Sequence, residues 1–159
     1  MTSAPLTTCL WFDGNGEGAV NFYASVFTDS KIGRIGRYND AGPGTPGSVM
    51  VIEFELNGQK FIALNGGPQF KFNEAISFQI PCADQAEVDY YWERLSADGG
   101  EEGPCGWLKD KFGVSWQVVP TKAIALISDP DPVKAERTTQ AMYKMKKLDI
   151  AELEKAYAG

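Results

Sequence analysis

The feature that most constrains the fold of this sequence is an internal repeat. Residues 6–13 (LTTCLWFD) read as a buried strand, and residues 17–28 place Ala19, Val20, Tyr23, Val26 and Phe27 on one apolar stripe at helical spacing. The same plan returns later. ISFQIPC (76–82) reads as a strand, and residues 84–97 carry Val88, Tyr91, Trp92 and Leu95 at i, i+3, i+4 and i+7, with Gly99-Gly100 as the helix stop. Overlaying the halves puts Leu10 on Phe78, Phe12 on Ile80, Val20 on Val88, Asn21 on Asp89, Phe22 on Tyr90 and Tyr23 on Tyr91. In the first half a β-like stretch at 31–38 and the turn-rich loop NDAGPGTPG follow the helix.

Each half then closes with a hairpin. VMVIEFEL and QKFIAL flank Asn57-Gly58, the residues a two-residue turn needs because both centres adopt positive φ. CGWLKD and VSWQVVP are joined through Lys111-Phe112-Gly113. Laying the closing strands FIAL and SWQV over one another places Ala63 on Gln117. A duplicated strand–helix–hairpin unit explains the matches better than chance alignment.

After the repeats the composition changes little but the plan does. Asp131-Pro132 is an N-cap with Pro at the first helical position and opens a helix expected to reach about Lys147; Asp149 with Glu152 starts a last short helix. Val133, Met142, Met145, Leu148, Ile150 and Leu153 are too many apolar residues for an idle appendage, so the tail should pack on the body or on a second subunit.

The absence of histidine removes the commonest transition-metal ligand and the commonest general base at neutral pH, so Ser-His-Asp and Cys-His machinery is excluded. A formal charge of −6 without a long basic run argues against nucleic acid as a partner. No apolar run reaches the length of a membrane span or forms a signal-peptide core. Cys9, Cys82 and Cys105 include no CxxC pair and suit reduced thiols, so the expected compartment is the cytoplasm.

Three stretches, CLWFDGNGEGAVNFY, ISFQIPCADQAEVDYYWERLSADGG and above all CGWLKDKFGVSWQVVP, resemble the PhnB-like branch of the vicinal oxygen chelate (glyoxalase/bleomycin resistance/dioxygenase) superfamily. The resemblance extends through the DPDPVKA and KKLDIAELEKA segments of the tail. It implies an α+β fold in which two βαβββ modules form an open, cup-shaped mixed sheet with helices on the convex face, plus a C-terminal helical tail. The vicinal oxygen chelate domain would span 1–120, with modules at about 6–67 and 76–120, and the helical extension 121–159. A homodimer, with a small molecule held in the cup, is the family's usual arrangement.

Pleat alternation within that fold assigns the cup residues. Cys9 and Trp11 point away from Leu10 and Phe12; Ser77 and Gln79 point away from Phe78 and Ile80; Ala63, Asn65, Ser115 and Gln117 face in from the closing strands; Trp107 adds an aromatic wall. Metal-dependent relatives such as glyoxalase I ligate the ion from four strand positions. The resemblance carries these onto Cys9 (or Thr8), Ala63, Ser77 and Gln117, none of them a His or a carboxylate. No metal and no other cofactor is therefore expected. Gln117, mid-strand between Trp116 and Val118, must find amide partners and is the candidate floor of a ligand site.

Other candidates read more simply. Cys105 lacks a His to activate it, and Cys82 suits core filler. Asp84 suits the N-cap of the second helix, and Trp92 and Trp116 fall on apolar faces. Glu53 and Glu55 share a face opposite Ile52 and Phe54 and suit solvated or edge contacts. The function expected is metal-independent binding of a small polar or aromatic molecule. The alternatives are drug sequestration without turnover, as in bleomycin-binding relatives, and the methyl transfer to ubiquinone precursors that names in this branch imply. For the last, GNGEG at 14–18 lacks the spacing and context of a nucleotide-binding turn.

Overall fold

A computed structural model describes residues 5–159. The chain divides into two compact units, Met1–Phe72 and Asn73–Gly159. The first contains β1 (Thr8–Phe12), α1 (Gly16–Val26), β2 (Ser30–Arg37), β3 (Val49–Leu56) and β4 (Gln59–Asn65). The second contains β5 (Phe78–Cys82), α2 (Gln85–Ser96), β6 (Glu101–Glu102), β7 (Trp107–Lys109), β8 (Ser115–Pro120), α3 (Thr121–Ile127), α4 (Pro132–Met142) and α5 (Ile150–Ala158). The sheets have the same plan, β1-β4-β3-β2 and β5-β8-β7-β6. In each, the first and last strands run parallel and the remaining pairs antiparallel. The chain is thus α+β and built from a repeated βαβββ module.

In the first unit α1 covers one sheet face. Ala19, Val20, Tyr23 and Val26 are buried with Leu10, Phe12, Ile52, Phe54, Phe61 and Ala63, and the Tyr23 and Phe54 rings stack at 6.3 Å. The β3–β4 turn has Asn57 at φ 46° and Gly58 at φ 78°, the left-handed pair expected from Asn-Gly. In the second unit α2 buries Val88, Trp92 and Leu95. Asp84 caps it by accepting from Glu87 N at 2.9 Å, while the Glu87 carboxylate accepts from Ala83 N at 2.7 Å.

A buried carboxylate closes the β7–β8 hairpin. Asp110 is 3% exposed; its Oδ1 accepts from Phe112 N (2.8 Å) and Val114 N (3.1 Å), and its Oδ2 accepts from Trp116 Nε1 (2.9 Å). Backbone amides and an indole N–H thus stand in for the water a buried charge loses.

The tail departs from expectation at two points. Helix α3 follows β8 directly, and α4 ends at Met142 instead of near Lys147. The reason lies in what the next residues bind: Cys105 N donates to Met145 O (2.9 Å) and Gly106 N to Lys146 O (2.7 Å), so the chain leaves the helix to run beside the 103–106 turn. Leu148 and Leu153 are buried with Val119, Ala123 and Leu126, and Met142, Met145 and Tyr157 pack against them. Gln85 fastens the segment, donating to Leu148 O (3.2 Å) and accepting from Ile150 N (2.9 Å), and Lys147 pairs with Asp89 at 2.6 Å. The tail therefore packs on its own second unit, and its apolar content no longer argues for a partner subunit.

Candidate functional site

Strand pairing decides which side chains share a face. In the first sheet Leu10 pairs with Ala63 and Phe12 with Asn65, while Cys9 pairs with Ile62 and Trp11 with Leu64. Cys9 and Trp11 do point away from α1, together with Ile62, Leu64, Val51 and Glu53. Ala63 and Asn65 do not. They lie on the α1 side, and the expectation that they face the ligand is corrected. Overlaying FIAL on SWQV was out by one residue: Ala63 matches Trp116, the partner of Phe78, and Leu64 matches Gln117. With a side-chain period of two, a single-residue slip reverses the face of every residue in the strand.

Asn65 has structural work. Its Oδ1 accepts from Gly16 N (2.9 Å) at the start of α1, where Asn15 supplies no side-chain cap, and its Nδ2 donates to Val49 O (3.0 Å). Trp11 is also anchored: its Nε1 donates to Gly67 O (2.8 Å), and its ring meets Phe70 edge-on at 4.9 Å. A Cβ at Gly66 would collide with that ring, so glycine permits the approach. Glu53 and Glu55, on the same face, pair with Arg34 (2.6 Å) and Lys31 (3.9 Å).

In the second sheet the expected set comes out on one face. Gln79 pairs with Gln117, Gln117 with Trp107, and Ser115 with Lys109, all away from α2, and Ser77 lies close to Gln117. Gln117 Nε2 donates to Ser77 Oγ at 2.8 Å. A depression of about 600 Å³ opens on this face, with Trp107, Lys109 and Ser115 from the sheet, Glu74 and Glu101 beside Lys109, and Cys105 and Tyr143 at the rim. Ser77, Gln79 and Gln117 are not among its lining residues.

The electrostatics of the depression centre on one lysine shared by two carboxylates. Lys109 Nζ lies 2.9 Å from Glu101 and 3.1 Å from Glu74, and hydrogen bonds to Glu101 and then Glu74 hold its ammonium above the ordinary lysine value. The same contact lowers the Glu74 carboxyl. Lys109 therefore stays protonated and is unsuited to act as a base or amine nucleophile. Glu102 accepts from Trp92 Nε1 (2.9 Å) and lies 3.8 Å from Lys146. Burial pushes the Cys105 thiol up, and its Sγ points at Met142 O (3.7 Å), so it has no thiolate character. Cys82, buried in the core, is pushed up to about 12. Ser115 stands apart: it is 2% exposed and its Oγ has no hydrogen-bond partner.

A second depression of about 620 Å³ lies in the first unit near the start of α1. Two of its polar groups are engaged, Tyr38 Oη donating to Asn65 O (2.7 Å) and Arg37 Nη1 to Gly47 O (3.0 Å), while Asp13, Glu17 and Gln69 also line it.

Among the described residues, no set of donors suited to a transition metal gathers on either sheet. The face away from α1 offers Cys9 among apolar and ion-paired residues, and Leu64 at the corrected position cannot ligate. The face away from α2 offers the neutral oxygens of Ser77, Gln79, Ser115 and Gln117. Among the described residues no group of three or more His, Cys, Asp or Glu is placed to hold an ion. None of the helices among them is long and apolar enough to cross a membrane.

Ser115 was expected on this face from pleat alternation, and Lys109, its partner across the hairpin, follows from the same register. Glu74 and Tyr143 carry no such signal, because they arrive from a loop and from the folded-back tail.

The profile of the family described as 3-demethylubiquinone-9 3-methyltransferase matches residues 4–119. The PhnB protein of Bacillus cereus, provisionally described as a 3-demethylubiquinone-9 3-methyltransferase, is 36% identical with a TM-score of 0.65; the match covers 74% of this chain and 100% of that one. Protein PA1353 of Pseudomonas aeruginosa shares the fold at 18% identity and a TM-score of 0.61, over 74% of this chain and 98% of its own. No protein of curated function matches the sequence. The chain belongs to the 3-demethylubiquinone-9 3-methyltransferase family, the PhnB-like branch of the vicinal oxygen chelate superfamily.

Proposed function

We propose that this protein binds a small molecule without a metal, and that the ligand occupies the depression over β7 and β8. The observation that carries the reading is Ser115: a buried hydroxyl without a partner costs about 1–3 kcal/mol, and folds retain such groups where something else satisfies them. The volume of about 600 Å³ and the Trp107 wall suit a ligand of metabolite size. The neutral donors on the sheet support metal independence. Methyl transfer finds less support: the glycine-rich start of α1 has its Gly16 N–H bound to Asn65, leaving it poorly placed to cradle a cofactor. We further propose a cytoplasmic homodimer, on the strength of the free thiols and the family resemblance.

A thermal-shift screen of metabolites and drug fragments tests the reading, with and without a chelator. Ligand at a hundredfold over its Kd stabilises by about 2.7 kcal/mol, on the order of 5–10 °C for a chain of this size. Hits should perturb Trp emission, survive chelation, and weaken in Trp107→Leu and in Tyr143→Ala. Shifts that vanish with the chelator would refute metal independence. Shifts indifferent to both substitutions would place the site elsewhere.

A further inference from the structure

The charges around the depression select against anions, and the unpaired polar groups select for an aromatic ligand with a hydrogen-bond acceptor. Lys109, the cation on the floor, is neutralised by Glu74 and Glu101, so an anion entering the site gains no free positive charge. Glu74 and Glu101 share that one ammonium, so the group carries one net negative charge, which repels an anion further; Glu102 is held by Trp92 and Lys146. An anionic ligand must displace a carboxylate from Lys109 to gain a partner. Among the residues lining the depression, the Ser115 hydroxyl has no partner, and no hydrogen bond engages the Trp107 indole N–H or the Tyr143 hydroxyl. All can donate a hydrogen bond, and two belong to flat aromatic walls.

We infer that the depression takes a flat aromatic molecule without negative charge that bears a hydrogen-bond acceptor such as a carbonyl oxygen, with Trp107 and Tyr143 against its faces or edges and Ser115 as donor. This rests on the proposed site and deepens it. The family profile stops at residue 119, short of the tail segments expected to share the resemblance, so Tyr143 lies outside the matched region. The segment carrying it is held to the rim by the Cys105–Met145 and Gly106–Lys146 backbone bonds, which makes the wall a fixed one.

A matched set of naphthalenes tests the inference: 2-acetonaphthone (neutral, with acceptor), 2-ethylnaphthalene (neutral, without), 2-naphthoate (anion) and 2-naphthylmethylammonium (cation). Binding is followed by Trp emission and calorimetry at neutral pH. The ketone should bind about tenfold or more tightly than the anion. Ser115→Ala should weaken the ketone by about threefold to tenfold and leave the hydrocarbon unchanged. Tyr143→Ala, at a residue 69% exposed and so safe for the fold, should weaken both neutral probes. A preference for the anion, or an equal effect of Ser115→Ala on ketone and hydrocarbon, overturns the ligand class while leaving the site in place. If no probe binds, or if binding ignores both Trp107→Leu and Tyr143→Ala, the proposed site falls with it.

Discussion

Replacing Asp110 with Asn should cost more stability than almost any other isosteric change in this chain. The carboxylate is 3% exposed and accepts three hydrogen bonds at 2.8, 3.1 and 2.9 Å. An Asn can keep its oxygen on Phe112 N and Val114 N, but its amide NH2 then faces the Trp116 indole N–H, donor against donor. One charge-assisted bond, worth about 1.5–3 kcal/mol, is lost, and two buried donors are left unsatisfied. A net loss of about 2–4 kcal/mol lowers Tm by roughly 5–12 °C at this chain length. Asp110→Ala, which strands all three donors, should cost about 3–5 kcal/mol. A double-mutant cycle isolates the pair: in Trp116→Phe, which has no indole N–H, Asp110→Asn should cost about 1–2 kcal/mol less than in the native background. Urea unfolding of the four proteins measures this directly. An Asp110→Asn protein with an unchanged midpoint, or a cycle in which the two costs simply add, would refute the claim that this carboxylate holds the hairpin through Trp116.

Gln117→Ala should cost up to about 1.5 kcal/mol through loss of the Ser77 bond yet leave ligand hits intact, since Gln117 lies outside the depression; thermal shifts with and without a hit decide it. Leu153→Ala, at a fully buried tail position, should destabilise by about 2–5 kcal/mol in denaturant, whereas an idle tail would tolerate it. Lys147, then Gln85, hold the Asp89 carboxyl below its ordinary value of 3.8, so this contribution is complete above that pH and is lost as pH falls through the lower folded value. The stability gap between wild type and Asp89→Asn, measured as Tm against pH, should therefore shrink only below about pH 4. Native alkylation followed by mass spectrometry should modify exposed Cys9 first and Cys82 last.

How far the sequence reaches shows in the misplaced strand. Asn57-Gly58 makes a two-residue turn, so Leu56 faces Gln59, Phe54 faces Phe61 and Ile52 faces Ala63. Counting outward from that turn puts Ala63 on the face of Ile52 and Phe54, which alternation already marks as the core side. Local turn chemistry thus carried the right answer, and the overlay of one repeat on the other, which tolerates a slip, carried the wrong one. The second module escaped this error because Phe78, Ile80, Trp116 and Val118 alternate without ambiguity. Asn65 could not have been placed from sequence, since its partner Gly16 is 49 residues away and nothing local marks an amide that caps another element. Asp110 was half legible: Asp before Lys-Phe-Gly signals a turn whose backbone the side chain binds, but its bond to Trp116 depends on hairpin register.

The tail limits what family membership can transfer. The matched portion of this chain aligns with all of the Bacillus protein yet spans only 74% of this one, and the family profile stops at 119. Beyond that point α3, α4 and α5 bury Leu148 and Leu153 against Val119, on the sheet face that also carries Gln117. Burying each leucine contributes about 1.5–3 kcal/mol, and the bonds from Gln85, Cys105 and Gly106 fix the direction in which the segment runs. Such docking is too strong for a segment that lifts away on each binding event. Tyr143 is therefore a standing wall of the depression, contributed by residues outside the matched region. The repeated modules account for the sheet, Trp107, Lys109 and Ser115, and any member of the family can inherit them. The aromatic surface opposite depends on the tail, so ligands found for tailless relatives should bind this protein differently, and Tyr143→Ala is the substitution that should narrow the difference.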